Sequence, residues 1–131
     1  MADKMTFELV SPERQLASAE ADMVVIPGME GDLGALPGHA PFLTTLRPGL
    51  VTVTNGSDTT EYFVTGGFAE VSNEGAAVLA EEAVERSGLT REFIDGKIAA
   101  AEAALETVGD DGRQAAGQRL NDLKTVAEQL V

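Results

Sequence analysis

Residues 51–64 read VTVTNGSDTTEYFV. Val51 and Val53 alternate with Thr52 and Thr54, which is the period of a strand with one buried face. Asn55-Gly56 follows. Both residues tolerate positive φ, so the pair predicts a tight reversal, with residues 59–64 as the return strand. The flanking sequence repeats the pattern. Met5, Phe7 and Leu9 alternate with Thr6 and Glu8. Residues 23–26 form a short apolar run that Pro27 is expected to end. Gly66-Gly67 interrupts the chain before residues 68–71, and Ser72-Asn73-Glu74-Gly75 turns it into residues 76–80. Many short strands with frequent turns predict an antiparallel sandwich or a flattened barrel.

The period changes near Ser87-Gly88. Ile94, Ile98, Ala101, Leu105 and Val108 recur at steps of four and three, and so do Ala116, Leu120, Leu123, Ala127 and Leu130. Each set falls on one stripe of a helix. Thr90 is expected to cap the first helix, Asp110 or Asp111 the second, and Gly109 to take a left-handed C-cap conformation. So short a connection makes the two helices antiparallel. The chain therefore divides into a β-domain over residues 1–87 and a helical hairpin over residues 88–131.

Composition bounds the function. The 131 residues are 44% hydrophobic and 24% charged, as in an ordinary globular domain. A net charge of −13 repels phosphate backbones and anionic lipid, so neither nucleic acid nor an acidic membrane surface is an expected partner. Residues 1–88 hold fourteen acidic and four basic side chains, so most of the charge lies there. The chain has no cysteine and no run of eighteen apolar residues, which excludes disulfides, thiolate metal sites and a spanning helix. Its start, MADKMTFELV, lacks the basic and apolar regions of a signal peptide, which predicts a cytoplasmic location.

Residues 30–49, EGDLGALPGHAPFLTTLRPG, concentrate glycine and proline around His39, the one histidine. The glycine spacing fits neither a dinucleotide fingerprint nor a phosphate loop. No nucleophile elbow stands elsewhere to use the imidazole, and a zinc site would need further ligands. Glu81, Glu82 and Glu85 offer carboxylates, for which charge on a solvated sheet edge is the simpler reading.

Preceded by Val24-Val25-Ile26-Pro27-Gly28, the same stretch resembles the epsilon subunit of bacterial F-type ATP synthases. The likeness extends to Glu8-Leu9-Val10-Ser11-Pro12-Glu13, to Gly66-Gly67-Phe68-Ala69-Glu70-Val71 and to the helical hairpin. It implies a ten-stranded N-terminal β-sandwich, a flattened barrel, followed by an antiparallel α-helical hairpin. It implies a non-catalytic central-stalk subunit of a proton-translocating synthase, with the gamma subunit and the c ring as partners and the catalytic-head subunits as partners of the hairpin. No cofactor and no metal is expected. The place implied is peripheral, on the cytoplasmic face of the bacterial inner membrane, without insertion into it. By motif match Asp32 and His39, with Glu30 adjacent, are the expected c-ring contacts. Some bacterial relatives sense ATP through Asp-x-x-Arg-Ala on the first helix. Here the match is Asp95-Gly96-Lys97-Ile98-Ala99, with Ile98 at the arginine position, so nucleotide binding is expected to be weak or absent. The second helix holds only Arg113, Arg119 and Lys124 for an inhibitory contact, and the brake on hydrolysis is expected to be weak. Two other readings of the residues stay open: a free-standing β-sandwich binding module with a partner-binding hairpin, and a small hydrolase using acidic side chains.

Overall fold

The computed structural model describes residues 4–38 and 40–129. Among them the chain forms ten strands, β1 (Met5–Val10), β2 (Gln15–Ala21), β3 (Met23–Gly28), β4 (Gly31–Ala35), β5 (Phe42–Leu46), β6 (Gly49–Asn55), β7 (Asp58–Val64), β8 (Gly67–Val71), β9 (Gly75–Ala80) and β10 (Ala83–Glu85). Two helices follow, α1 (Arg91–Thr107) and α2 (Asp110–Gln129). The chain separates into two compact units after Arg86. No helix among the described residues is long and apolar enough to cross a membrane.

In the first unit the strand order is β10-β7-β6-β3-β5-β8-β9-β1-β2, with β4 pairing β3 off this path. β3 is the corner. It pairs β6 through residues 23–25 and meets β5 only at Gly28, opposite Leu46. The sheet folds over there, so β10-β7-β6-β3 faces β5-β8-β9-β1-β2. At the far side the Asp22 N–H donates to the Thr54 carbonyl at 2.7 Å, which brings the end of β2 back to β6. That near-closure protects the long sheet edges from pairing with other chains. All pairings are antiparallel except β1 with β9.

The core follows from the alternation. Met5, Phe7, Leu9, Val24, Ile26, Val51, Val53, Val71 and Val78 point between the layers and are all buried. Burying each such side chain contributes about 1.5–3 kcal/mol. Phe7 from one layer stacks on Tyr62 from the other with ring centroids 5.9 Å apart. Burial raises the Tyr62 phenol above its ordinary range, with a smaller contribution from Glu85.

Two local expectations are corrected. Asn55 is not in the turn but paired with Asp58, and the reversal is Gly56-Ser57 with positive φ at Gly56 alone. Pro27 does not end its strand. It lies inside β3 opposite Asp32, beyond the residues that pair with β6, where a missing N–H breaks no bond of that ladder.

Asp22 staples one end of the unit. Its carboxylate accepts from Lys4 Nζ at 2.5 Å and from the Gly56 N–H at 2.6 Å, and Lys4 Nζ also donates to Asn55 at 2.7 Å. The Lys4 hydrogen bond first, and the Gly56 N–H second, hold the Asp22 pKa below its ordinary 3.8. A lowered carboxyl pKa means that the folded state favours the ionised form. The stabilisation is therefore complete above the ordinary pKa and is lost as pH falls through the lower folded value. Asp22→Asn should lower Tm at neutral pH, and the gap to the parent should close in melts below about pH 4. A gap that stays constant with pH would show that the carboxylate charge is not what matters.

In the second unit, Thr90 caps α1 by accepting from the Phe93 N–H at 3.1 Å. α2 begins at Asp110, so Asp110 and Asp111 occupy its first turn, where they complement the helix dipole instead of capping it. Gly109 has no positive φ. The chain leaves α1 through Val108 in an extended conformation, whose N–H returns to the Ala104 carbonyl at 3.0 Å, so no left-handed residue is needed. The helices run antiparallel, since Arg91 at the start of α1 donates to the Ala127 carbonyl near the end of α2 at 3.3 Å. Ile94 and Ala101 of α1, and Leu123, Val126 and Ala127 of α2, are buried. Leu130 lies outside the described residues. Gly96 stands on the exposed side of α1, with nothing within 4 Å of an added Cβ. Gly96→Ala should stabilise α1 by about 1 kcal/mol. Amide exchange along α1 slowed about fivefold would register it, and unchanged exchange would refute it.

Candidate functional site

Two surfaces of the first unit stand out by their geometry and exposure. The first is the tip of the β3–β4 hairpin. Gly28 pairs with Gly31, which leaves Met29 and Glu30 as the turn. A Cβ on Gly28 would stand 2.9 Å from the Gly31 carbonyl, and Gly31 has φ +135°, so the strands approach as only glycine permits. Met29 is 54% exposed, and Glu30 is exposed beside it.

Arg47, in the link between β5 and β6, reaches across this hairpin. Its N–H donates to the Pro27 carbonyl at 3.0 Å and its Nε to the Gly28 carbonyl at 2.9 Å. Its terminal nitrogen pairs with the Asp32 carboxylate at 2.8 Å. The Met29 N–H donates to the Thr45 carbonyl at 2.9 Å. The density of glycine and proline in residues 30–49 thus shapes a narrow hairpin tied back to the next strand.

Of the three expected contact residues, Glu30 and Asp32 come together here. His39 lies outside the described residues. Its neighbour Gly38 donates its N–H to the Asn73 carbonyl at 3.3 Å, beside the Phe42 end of β5. The hairpin tip stands at the Leu46 end of β5, where Leu46 meets Gly28. Four residue steps, about 13 Å, separate those ends. The structure therefore brings the two acidic residues together, and not with the segment that flanks His39.

The second surface is the outer face of β5, β8, β9 and β1. Thr45 pairs with Phe68, Phe68 with Leu79, and Leu79 with Val10, so these side chains form one row. Leu43, Glu70, Ala77 and Glu8 form the next. Phe68 is 50% exposed and Leu43 66%. Beside the second row, Glu8, Glu70 and Glu74 line a shallow cleft of about 260 Å³. Large apolar side chains are thus held outward in adjacent rows. This face was within reach of the sequence: the alternation of Phe68, Ala69, Glu70 and Val71 turns one apolar residue out for each pair it buries.

Of the carboxylates at the sheet edge, Glu81 and Glu82 lie in the β9–β10 link and Glu85 ends the edge strand β10. Among the described residues no three His, Cys, Asp or Glu side chains gather as metal ligands would. In the second unit, Lys97 and Arg119 line a cleft of about 180 Å³ walled by Ala100, Ala101, Ala104 and Ala116. Lys97 also lies over the Phe93 ring, 5.2 Å from its centroid. Arg91 is engaged with Asp95 at 3.1 Å and with Ala127, so it serves the hairpin itself.

Comparison with known proteins gives one consistent result. Residues 4–86 match the family described as ATP synthase, Delta/Epsilon chain, beta-sandwich domain. The ATP synthase epsilon chain of Rhodobacter capsulatus is 46% identical over 99% of this chain and 98% of its own. That of Ruegeria sp. (strain TM1040) is 52% identical over 87% of this chain and 83% of its own, and that of Parvibaculum lavamentivorans 49% over 95% and 96%. Among solved structures, a chain of the Euglena gracilis mitochondrial ATP synthase (OSCP/F1/c-ring) superposes with TM-score 0.76 at 22% identity, over 98% of this chain and 82% of that one. A chain of the Tetrahymena thermophila mitochondrial ATP synthase central stalk/c-ring gives 0.67 at 16%, over 98% of both. At those identities the structural likeness speaks for the fold alone.

Proposed function

Since the chain belongs to the ATP synthase delta/epsilon family, we propose that it is the epsilon subunit of a proton-translocating F-type synthase, acting in the central stalk. It carries no reaction of its own. It transmits rotation of the c ring to the catalytic head through the gamma subunit, from a peripheral position on the cytoplasmic face of the inner membrane. The observation that carries this reading is the uncovered apolar face of Leu43, Phe68 and Leu79 on a chain related over nearly its full length to epsilon chains.

The two surfaces divide the work. The apolar face grips gamma, because burying exposed phenylalanine and leucine is what holds a lasting interface. The β3–β4 tip, on which Glu30 and Asp32 stand, meets the polar loops of the c ring. His39 belongs to the same contact by motif match, although its neighbours stand at the other end of β5. The hairpin reaches the head subunits as a weak brake.

Tagged full-length chain, expressed in cells that hold the synthase, should retrieve gamma in equimolar amount. The purified chain alone should hydrolyse no ATP. Retrieval of neither gamma nor c subunits, or turnover by the isolated chain, would overturn the assignment.

A further inference from the structure

We propose that Arg47 is a positioning residue that latches the Met29–Glu30 turn, and that Asp32 acts as the anchor of that latch and not as a group offered to the partner. The inference rests on the reading of the turn as a surface that carries force.

The hairpin needs an external brace. β4 pairs only with β3, so its outer side has no strand beside it. Gly28 and Gly31 flank the turn, and neither carries a side chain that could fix the tilt of the tip against the sandwich. The Met29 N–H, bonded to the Thr45 carbonyl, ties the turn from the β3 side, and Arg47 adds the tie that reaches β4. Its backbone N–H binds the Pro27 carbonyl, while its guanidinium binds the Gly28 carbonyl on β3 and the Asp32 carboxylate on β4, so the side chain alone spans both strands. A planar guanidinium can hold two acceptors at a set angle, which the point charge of a lysine cannot. Arg47 is also the better buried partner, at 26% side-chain exposure against 65% for Asp32. The Asp32 charge is thereby committed inside the chain, while Met29 and Glu30 remain at the tip. The sequence expectation groups Asp32 with the adjacent Glu30. The geometry gives them different tasks.

The test has two arms. In the free full-length chain, Arg47→Gln should speed exchange of the Met29, Glu30 and Gly31 amides about tenfold, with β8 and β9 unchanged. Arg47→Lys should recover part of the protection. Unchanged exchange at the turn in Arg47→Gln overturns the latch. In the reconstituted holoenzyme, protons pumped per ATP hydrolysed should fall by the same factor in Asp32→Asn, in Arg47→Gln and in the double variant, because the two residues act as one unit. Glu30→Gln should lower it further when added to either. Full additivity between Asp32→Asn and Arg47→Gln would return Asp32 to the role of an independent contact and overturn the proposal. Faster turn exchange with unchanged pumping would leave the latch standing and refute the c-ring contact on which the proposed function relies.

Discussion

Gly67→Ala is expected to destabilise the sandwich by about 3–5 kcal/mol and to lower its Tm by roughly 15 °C or more. Gly67 opens β8 at φ +121°, a region an alanine enters only under strain. That conformational term is about 1–3 kcal/mol. The steric term adds to it. A Cβ built on Gly67 would lie 2.1 Å from the Leu79 carbonyl oxygen, far inside contact distance. The oxygen cannot move aside cheaply, because Gly67 pairs with both Leu46 and Ala80, so β8 is held on both sides at this residue. Relief would require parting β8 from β9 or β5. Gly31→Ala separates the two terms. Its φ is +135°, yet nothing lies within 4 Å of its Cβ position, so it should cost about 1–2 kcal/mol. A domain of this size is stable by only about 5–15 kcal/mol, so the Gly67 variant approaches the threshold for folding. Urea denaturation with an unchanged slope and a lower midpoint would report it. A Gly67→Ala variant within 1 kcal/mol of the parent would show that the ladder yields more easily than its geometry implies.

What the sequence revealed, and what it withheld, follows from how each strand is stabilised. β1, β6, β8 and β9 announce themselves because their own side chains alternate against the core, and β7 because a turn signal precedes it. β2 is QLASAEA, rich in alanine and half polar, and it forms mainly because β1 offers an edge. β4, GDLGA, contributes little more than Leu33 and Ala35 to burial and reads as a loop until β3 is placed beside it. The helical stripes were legible, whereas the turn between them was not. An extended Val108 performs the reversal expected of Gly109, and φ at a turn depends on contacts that periodicity does not encode. At the candidate site, the resemblance named Glu30, Asp32 and His39 as one set. The register of β5 puts four residue steps between the hairpin tip and the Phe42 end of the strand, a separation no motif can show. Arg47 gave no signal at all, since a lone arginine fifteen residues from its carboxylate partner has no local pattern.

Phe68→Glu is expected to weaken binding to the gamma subunit at least about 30-fold while leaving the fold of the free chain within about 1 kcal/mol of the parent. The asymmetry is the point of the experiment. Phe68 is half exposed on the outer face, so the sandwich gains little from it, and a polar replacement there leaves the core of Phe7, Leu9 and Val78 untouched. An interface centred on the row of Phe68 and Leu79 would lose its aromatic anchor and receive a charge that must be stripped of water on docking, the kind of loss that dominates binding energies. Glu8 and Glu70 in the adjacent row already make this face acidic, so the new carboxylate adds like charge to it. Salt should not rescue the variant, because the lost term is apolar burial, whereas screening acts on exposed charge over about 8 Å. Thr59→Glu on β7, in the opposite layer and also exposed, should leave the affinity unchanged. If Phe68→Glu binds gamma as the parent does, the apolar face serves some other partner, and the grip on the rotating shaft must be sought elsewhere on the sandwich.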